Sequence, residues 1–294
     1  MRPTVAFAVP VWNGADFVAE TLERALAQEG VRIAVCVSVD GGDAVSARAC
    51  ETLLPDRRLS IVVQQERLGW VRNSGAALDL ALATHAPYVA VLPHDDLIAP
   101  DYAAALVAEI GDAAVAYPDV VTFGGPEVVV RMRSVLGSAM ERQEAILSRC
   151  HAALPYRGLI RVSAMGRVPR IPQVPPDDFA ADTVWMARLA REGELVRVPG
   201  AGYEKRVHGN NTHSAWFRQD GPARVAAWST HCRAMLTEAL PVARNAAERD
   251  RLIALAHARL VAPQMGPFRA DIEKLDEGAR DALGEAFLAD FHMA

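Results

Sequence analysis

The sequence contains few cysteines and very few lysines, and both shortages narrow the kinds of protein it can encode. Its 294 residues include four cysteines, which lie far apart and form no C-x-x-C pair. This disfavours a disulfide-stapled fold and a structural zinc site, and a reducing compartment such as the cytoplasm is expected. Only two of the 31 basic residues are lysines, and the net charge is −5. Because no basic surface is indicated, nucleic acid is not an expected partner.

Long apolar runs and the common nucleotide-binding motifs are also missing. No window of about 18 uninterrupted apolar residues occurs, so no transmembrane segment is expected. The first apolar run is broken at Pro10 and Asn13, too early for a signal peptide. The absence of G-x-G-x-x-G, G-x-x-x-x-G-K-[ST] and G-x-S-x-G disfavours Rossmann-type dinucleotide binding, a P-loop enzyme and an α/β-hydrolase. A reactive site must therefore be built from carboxylates and basic groups.

The first 110 residues alternate between short apolar runs and helical patterns. The apolar runs predict strands at Thr4–Val11, Ile33–Val39, Leu59–Val63 and Tyr88–Leu92. The segments that follow them have helical spacing: Ala15–Gln28, Val45–Leu54, Trp70–Thr84 and Pro100–Ile110. Strands that are apolar on consecutive residues, each followed by a helix, are typical of a parallel sheet covered on both faces. We therefore predict an α/β fold with a mostly parallel central sheet flanked by helices.

Beyond residue 110 the alternation ends and shorter elements follow. Strands are predicted at Val120–Phe123, Val128–Met132, Leu195–Val198 and Tyr203–Val207, and helices at Glu141–Arg149 and Asp178–Glu192. The stretch Pro155–Pro176 is rich in proline and arginine and predicts an irregular loop. After Asn211 three helices are predicted: Pro222–Leu240, Ala246–Leu260 and Asp271–Ala289. The chain thus divides into residues 1–110, 111–213 and a helical C-terminal extension, 214–294.

Polar residues stand directly after three of the predicted strands. Asn13 follows the first strand, Asp40 the second, and the pair Asp95-Asp96 the fourth. Ligands of parallel α/β sheets bind beyond the carboxyl ends of the strands, which makes these residues candidates for a site. Two adjacent aspartates can hold a divalent cation that also binds a diphosphate, or one of them can cap the next helix. For Asp40 the alternative is a turn residue in Asp-Gly-Gly.

Several segments, taken in order, resemble family 2 glycosyltransferases with the GT-A fold. They are PVWNGADFVAETLERALAQ, CVSVDGGD, ERLGWVRNSGAAL and APYVAVLPHDDLIAPDY, followed later by AADTVWMARLAREGE and YEKRVHGNNTH. The resemblance covers residues 4 to about 110 and resumes at about 156–213. It implies that residues 1–110 are the half that binds a nucleotide-sugar. Residues 111–213 would be the half that binds the acceptor and carries the catalytic base.

The resemblance also implies roles for residues of the nucleotide site. Pro10 and Trp12 would line the pocket for the nucleobase, with an aromatic ring beside the base, and Asn13 is a further candidate for binding the nucleotide. Asp40 would accept a hydrogen bond from the base. Arg72 would contact the base or the phosphates.

The family's metal-binding acid corresponds to Asp95. Asp96 and His208 are the further candidate ligands for a divalent cation, Mn²⁺ or Mg²⁺. For His208 the alternative is a histidine on a solvent-exposed loop. Three basic residues are candidates for contacts with the diphosphate or the acceptor: Arg157, Lys205 and Arg206.

The general base that the resemblance implies is Asp182. A carboxylate is required there because an acceptor hydroxyl must lose its proton as it attacks. Asp177 and Asp178 are rival bases, and Asp182 could also simply complement the dipole at a helix N-terminus. The choice of Asp182 rests on its match to the family motif.

Two positions depart from the family pattern. Pro93 stands where the family often has an acid, and Ala181 stands where it commonly has glutamate. These departures motivate an alternative function, a catalytically inactive nucleotide-sugar-binding protein of the same fold. A sugar-phosphate nucleotidyltransferase ranks last, because the glycine- and lysine-rich loop of those enzymes is missing after Val11.

The leading hypothesis is an inverting, metal-dependent transfer of a sugar from a UDP- or dTDP-linked donor to an acceptor hydroxyl. The expected acceptor is a glycan, a lipid-linked sugar or a small molecule, met in the cytoplasm or at the inner face of a membrane. The arginine-rich stretch Pro155–Arg170 is either a lid over an anionic ligand or a structural loop. Three aromatic residues have open roles, namely Trp216, Phe217 and Trp228. They are expected to pack the C-terminal helices against the catalytic domain, to form a homodimer contact or to bind the acceptor.

Overall fold

The computed structural model describes residues 4–53, 56–148, 153–166, 170–175, 177–209, 216, 218–264 and 266–292. The chain forms two compact units. The first comprises residues 1–134, 153–171 and 192–208, and the second comprises residues 135–152, 172–191 and 209–294. Across the described ranges, no helix combines the length and the apolar character needed to cross a bilayer. The division of the chain into a donor-binding half, an acceptor-binding half and an extension, at residues 110 and 213, concerns function and stays a prediction.

The first unit is built on a seven-stranded sheet. Its strands, in order across the sheet, are β10 (Leu195–Val198), β6 (Val115–Pro118), β9 (Leu159–Arg161), β4 (Tyr88–Val91), β1 (Val5–Val11), β2 (Ile33–Val39) and β3 (Leu59–Val63). Neighbouring strands are parallel except that β9 runs antiparallel to β4 and β6. The predicted α/β fold with a mostly parallel sheet is therefore confirmed.

The same unit contains a smaller sheet and four α-helices. The small sheet has the strand order β5 (Leu97–Ile98), β11 (Tyr203–Arg206), β7 (Val120–Phe123) and β8 (Val129–Val130). The α-helices are α1 (Val18–Leu26), α2 (Ala44–Glu51), α3 (Trp70–Ala83) and α4 (Tyr102–Glu109), and short 3₁₀ helices cover Pro155–Arg157 and Val162–Met165. The central strands β1 and β2 are mostly apolar, and all of their residues except Pro10 and Ala34 are buried, as expected for a sheet covered on both faces.

A buried polar network ties the carboxyl ends of β1 and β2 to α3. Asn73 Nδ2 donates to the carbonyls of Val11 at 3.2 Å and Ser38 at 3.1 Å, and Asn73 Oδ1 accepts from Ser38 Oγ at 2.7 Å. Gln64 Nε2 donates to the same hydroxyl at 2.8 Å. Since each buried group has its partner, the network fixes α3 against the strand ends where a ligand would bind.

The second unit is helical. It contains α5 (Ala139–Ser148), α6 (Ala181–Glu192, whose last residue belongs to the first unit), α7 (Gly221–Ala239), α8 (Ala246–Val261), α9 (Gly266–Glu273) and α10 (Glu277–His292), with a 3₁₀ turn at Leu240–Val242. The helical C-terminal extension is thereby confirmed. The helix predicted over Asp271–Ala289 is instead two helices, because Asp276 Oδ1 accepts from the backbone N–H of Ala279 at 2.7 Å and caps α10.

An aromatic cluster forms part of the core of the second unit. The Phe179 ring lies 5.1 Å from Trp216, 5.0 Å from Phe268 and 5.7 Å from His231, measured between centroids. Trp228 stacks on Phe268 at 5.2 Å. Trp216 and Trp228 are buried, which supports the packing interpretation for these two residues. Phe217 lies outside the described residues.

The irregular loop predicted over Pro155–Pro176 is wrong for its first part. Leu159–Arg161 forms β9 in the middle of the main sheet, and its first two residues are fully buried. Arg161 Nε donates to the carbonyl of Ala113 at 3.1 Å, so this arginine serves the fold. These residues are therefore not part of a lid. A strand of three residues beside proline and arginine gives no periodic signal, so β9 could not be predicted from the sequence pattern.

The helix that carries Asp182 begins three residues later than predicted. Asp178 and Ala180 have φ values of 57° and 51°, in the left-handed region that side chains with a Cβ adopt only at a cost. Asp178 Oδ1 accepts from the backbone N–H of Val174 at 2.7 Å, and its own N–H donates to the Val174 carbonyl at 2.7 Å. This closed turn ends at Ala180, and α6 starts at Ala181. The predicted strand Val128–Met132 is likewise shortened, to the two residues of β8.

Replacing Asn73 by Ala should lower the free energy of unfolding by about 2–4 kcal/mol. The change removes three hydrogen bonds and leaves buried partners unsatisfied. Urea denaturation of both proteins measures the difference. The control is Asp79→Ala on the same helix, which loses an exposed ion pair with Arg170 and should change stability by less than about 1 kcal/mol. Equal effects of the two variants would contradict the role given to Asn73.

Replacing Ala180 by Gly should raise the free energy of unfolding by up to about 1 kcal/mol. Relief of the left-handed conformation is worth about 1–2 kcal/mol, and the added freedom of the unfolded chain offsets about half of it. The matched control is Ala254→Gly at an exposed position within α8, which should lower stability by about 1 kcal/mol. Opposite shifts in the two melting curves are expected, and a destabilised Ala180→Gly variant would refute strain at this turn.

Candidate active site

Asp95 and His208 lie together at the carboxyl end of the main sheet. Asp95 stands in the loop after β4, and His208 follows β11, which pairs with β5 in the small sheet. His208 Nε2 is 2.9 Å from Asp95 Oδ2, and both side chains are mostly buried. The structure thus joins a carboxylate and an imidazole that are 113 residues apart in the sequence.

Asp96, by contrast, points into the protein. Its Oδ2 accepts from the Tyr203 hydroxyl at 2.7 Å and from Arg157 Nε at 3.4 Å, and its Oδ1 accepts from the backbone N–H of Arg206 at 3.1 Å. Burial raises the pKa of the Asp96 carboxyl, and the nearby Arg157 guanidinium opposes that rise. Since protein donors occupy both of its oxygens, this geometry supports an anchoring role for Asp96. We do not carry it forward as a metal ligand.

The three basic candidates for anion binding differ in their surroundings. The Arg157 side chain is buried beside Asp96. The Arg206 guanidinium lies over the rings of Phe17 and Phe123 and donates to Glu20 Oε2 at 2.6 Å. Both arginines are therefore committed to the fold in this geometry. Lys205 is half-buried on β11, and its role in binding stays a prediction.

Asp40 is a buried carboxylate at the end of β2 with four donors around it. Its Oδ1 accepts from the backbone N–H groups of Gly41 at 3.1 Å and Leu68 at 2.5 Å. Its Oδ2 accepts from the backbone N–H of Gly69 at 3.0 Å and from Arg67 Nε at 2.9 Å. Asp40 thereby holds the segment that leads from β3 into α3.

Trp12 and Arg67 form a stacked pair beside Asp40. The Arg67 Cζ atom lies 3.2 Å from the centroid of the Trp12 ring. The family resemblance predicts Trp12 and Asp40 as neighbours of a nucleobase but assigns no role to Arg67, although Arg67 lies within the segment ERLGWVRNSGAAL. Arg72, the arginine that was singled out, is half-exposed and 3.5 Å from Glu66 Oε1.

The loop after β1 is held by the start of α2. The backbone N–H of Asn13 donates to Asp43 Oδ2 at 2.7 Å, and that of Gly14 donates to Ser46 Oγ at 2.9 Å. Asn13 has a φ of 49°, and its side chain is exposed. A Cβ on Gly14 would lie 2.3 Å from the His94 ring, so any other residue there would displace this ring. His94 Nδ1 in turn lies 3.1 Å from the carbonyl of Pro10, which joins the β1 and β4 loops.

The candidate bases lie in the second unit. Asp182 is partly exposed in the first turn of α6, where its Oδ1 accepts from the backbone N–H of Thr183 at 2.8 Å. Burial raises the pKa of the Asp178 carboxyl, whose Oδ1 is held by Val174. Asp177 Oδ2 accepts from Gln219 Nε2 at 2.7 Å. Asp95 belongs to the first unit and Asp182 to the second, and their convergence on one cleft stays a prediction.

The described residues supply only a partial set of metal ligands. Among them, no group of three or more His, Cys, Asp or Glu side chains could enclose a cation. Asp95 and His208 provide one carboxylate oxygen and one imidazole nitrogen, close enough to bind the same ion. Such an incomplete set fits Mn²⁺ or Mg²⁺ in sites where the phosphates of a substrate supply further ligands.

Comparison with known proteins identifies the family of this chain. A family model described as glycosyl transferase family 2 matches residues 6–165, more than half of the chain. The succinoglycan biosynthesis protein ExoO of Rhizobium meliloti (strain 1021) is 35% identical over 114 residues, which are 38% of this chain and 31% of that protein. The chain thus matches less than a third of the length of this relative.

Solved structures share the fold. S. aureus TarS (residues 1–349), in complex with UDP-GlcNAc, matches with a TM-score of 0.69 and 14% identity over 98% of this chain and 80% of that chain. The mannosyltransferase PcManGT from Pyrobaculum calidifontis, in complex with GDP-Man and Mn²⁺, matches with a TM-score of 0.53 and 21% identity over 100% of this chain and 84% of that chain. Together with the family match, this establishes that the chain belongs to glycosyl transferase family 2 and has the GT-A fold.

Proposed function

We propose that this protein transfers a sugar from a nucleotide-sugar to an acceptor hydroxyl with inversion at the anomeric carbon. The observation that carries the proposal is the Asp95–His208 pair at the carboxyl end of the sheet, in a chain of family 2. UDP- and dTDP-linked sugars are the proposed donors, and the UDP-GlcNAc bound to TarS supports the first of these. GDP-linked donors belong in any screen because PcManGT is bound to GDP-Man.

We assign the diphosphate end of the donor to the loop after β4. Asp95 and His208 would hold a divalent cation there, and the Mn²⁺ bound to PcManGT supports the choice of ion. When bound, the cation supplies positive charge that stabilises the leaving diphosphate. Asp96, Arg206 and Tyr203 keep this loop in place through the contacts described above. The chain's own residues thus preorganise the site before the donor arrives.

We assign the role of general base to Asp182. A general base must lie within about 3 Å of the acceptor hydroxyl. The match to the family motif favours Asp182 over its rivals Asp178, whose Oδ1 accepts from Val174, and Asp177, whose Oδ2 accepts from Gln219. Asp182 sits on the rigid first turn of α6, and the Phe179 cluster packs immediately before it. Inversion is what the family resemblance implies, and NMR of the anomeric proton in the first-formed product would test it.

The acceptor we propose is a glycan, free or lipid-linked, in the cytoplasm or at the inner face of a membrane. The name of the matched relative, a succinoglycan biosynthesis protein, supports a polysaccharide acceptor over a small molecule. Homodimer formation through the C-terminal helices stays a prediction.

Mn²⁺ should strengthen nucleotide binding, and the effect should depend on Asp95. Calorimetric titration of UDP, dTDP and GDP is expected to give at least a tenfold lower Kd for the preferred nucleotide in Mn²⁺ than in EDTA. Asp95→Asn should remove most of this gain, because a neutral amide is a poor ligand for a hard cation.

The control for that titration is Asp101→Asn. Asp101 is an exposed acid just before α4 whose side chain makes no capping hydrogen bond, so its loss should leave the Mn²⁺ effect intact. An unchanged Mn²⁺ effect in Asp95→Asn would refute the proposed cation site. Nucleotide binding without any release of nucleoside diphosphate from a donor panel would favour the inactive binding protein instead.

Asp182→Asn should lower kcat by about 10²–10⁴-fold while the Kd for the donor nucleotide stays within about twofold. The amide keeps the shape of the side chain but cannot accept the acceptor's proton. Initial rates of nucleoside diphosphate release with acceptor present measure the loss. Asp177→Asn and Asp178→Asn are the matched comparisons, and a larger loss of kcat in either would move the base to that residue.

A further inference from the structure

We infer that the Arg67 side chain occupies the position of the donor nucleobase beside Trp12 and Asp40, called the base seat below. It must leave this position when the nucleotide binds. This inference rests on the proposed function, which places the base beside Trp12 and Asp40. It concerns a residue that neither the family resemblance nor the sequence patterns assigned.

The guanidinium of Arg67 makes both contacts that a base would make in the base seat. Its flat face lies on the Trp12 ring, with Cζ 3.2 Å from the centroid. Its Nε–H donates to Asp40 Oδ2 at 2.9 Å. Uracil, thymine and guanine are also flat, stack on aromatic rings and carry a ring N–H that can donate to a carboxylate. Arg67 therefore reproduces both the stacking and the hydrogen bond of such a base.

The Asp40 carboxylate has no acceptor position left for a further hydrogen bond from a base. A carboxylate has about four lone-pair positions, and Asp40 already accepts from four N–H groups. A base that donates to Asp40 must therefore replace one of these donors. The carboxylate is buried, which leaves no water-facing oxygen in reserve.

Arg67 is the one of these four donors that can leave without moving the backbone. The other three are main-chain N–H groups of Gly41, Leu68 and Gly69. Gly41 also packs so closely that a Cβ on it would lie 2.2 Å from the carbonyl carbon of Glu66, so the main chain is fixed here. The Arg67 side chain is 51% exposed and can swing into solvent.

Arg67→Ala should therefore bind the nucleotide more tightly. Titration of UDP and GDP in the presence of Mn²⁺ is expected to show about a tenfold lower Kd than wild type, since an exposed stacked ion pair no longer has to be broken. Inorganic pyrophosphate, which has no base, should bind wild type and variant within twofold of each other. Arg48→Ala removes an exposed arginine on α2 and controls for the change in net charge; it should match wild type for every ligand.

Arg67→Lys provides a second variant that keeps a cation near Asp40 in case the alanine variant folds poorly. Lysine can pair with the carboxylate but has no flat face for Trp12, so an intermediate gain in affinity is expected. Weaker UDP binding in the Arg67 variants with unchanged pyrophosphate binding would overturn the inference and make Arg67 a ligand of the base. Weaker binding of both probes would overturn it in favour of a phosphate contact, and unchanged UDP binding would place Arg67 outside the base seat.

The proposed function fails in a different way. If folded wild type and variants bind neither UDP, dTDP nor GDP with Mn²⁺, the nucleotide-sugar proposal is overturned, and this inference with it. If wild type binds one of them and the Arg67 variants do not bind it more tightly, only the inference about Arg67 is overturned.

Discussion

The site in the first unit depends on one buried carboxylate, that of Asp96. Its oxygens collect donors from the 3₁₀ helix at Pro155–Arg157 and from both ends of β11. A buried charge is tolerated only when it is paired and hydrogen-bonded, so these donors cannot separate without a large loss of free energy. Their assembly fixes β11 beside the loop after β4. His208, two residues beyond β11, is consequently held next to Asp95.

Asp40 illustrates the same constraint at the end of β2. Three main-chain N–H groups converge on its carboxylate and fix the path of the chain from β3 to α3. A carboxylate held this way presents a fixed negative charge at the sheet's edge, whether its last acceptor position serves Arg67 or a ligand. In both loops, therefore, an aspartate that shapes the backbone sits at or beside the position where ligand chemistry is proposed. Fold stability and site geometry rest on the same hydrogen bonds.

The parallel strands and the helices after them could be predicted from the sequence because short, mostly apolar runs alternate regularly with helical patterns. Ile33–Val39 and Leu59–Val63 form as predicted, residue for residue. β9 could not be predicted, since its three residues enter the sheet through long-range pairing with β4 and β6. The site divides likewise: Asp95 and His208 follow from ordered motifs, whereas the inward turn of Asp96 and the stack of Arg67 on Trp12 depend on tertiary contacts. Local sequence patterns carry no information about such contacts.

The two chemical tasks of the proposed reaction are assigned to differently built parts of the chain. Holding a diphosphate requires fixed charges, and strand-end loops anchored by buried carboxylates provide them. Removing a proton requires a carboxylate on a rigid element, and the proposal assigns this task to Asp182 in the first turn of α6. The left-handed turn at Asp178 and Ala180 matters here because it ends the preceding loop abruptly and lets Phe179 enter the aromatic cluster. Packing within the second unit thus helps to set the position of α6, which carries Asp182.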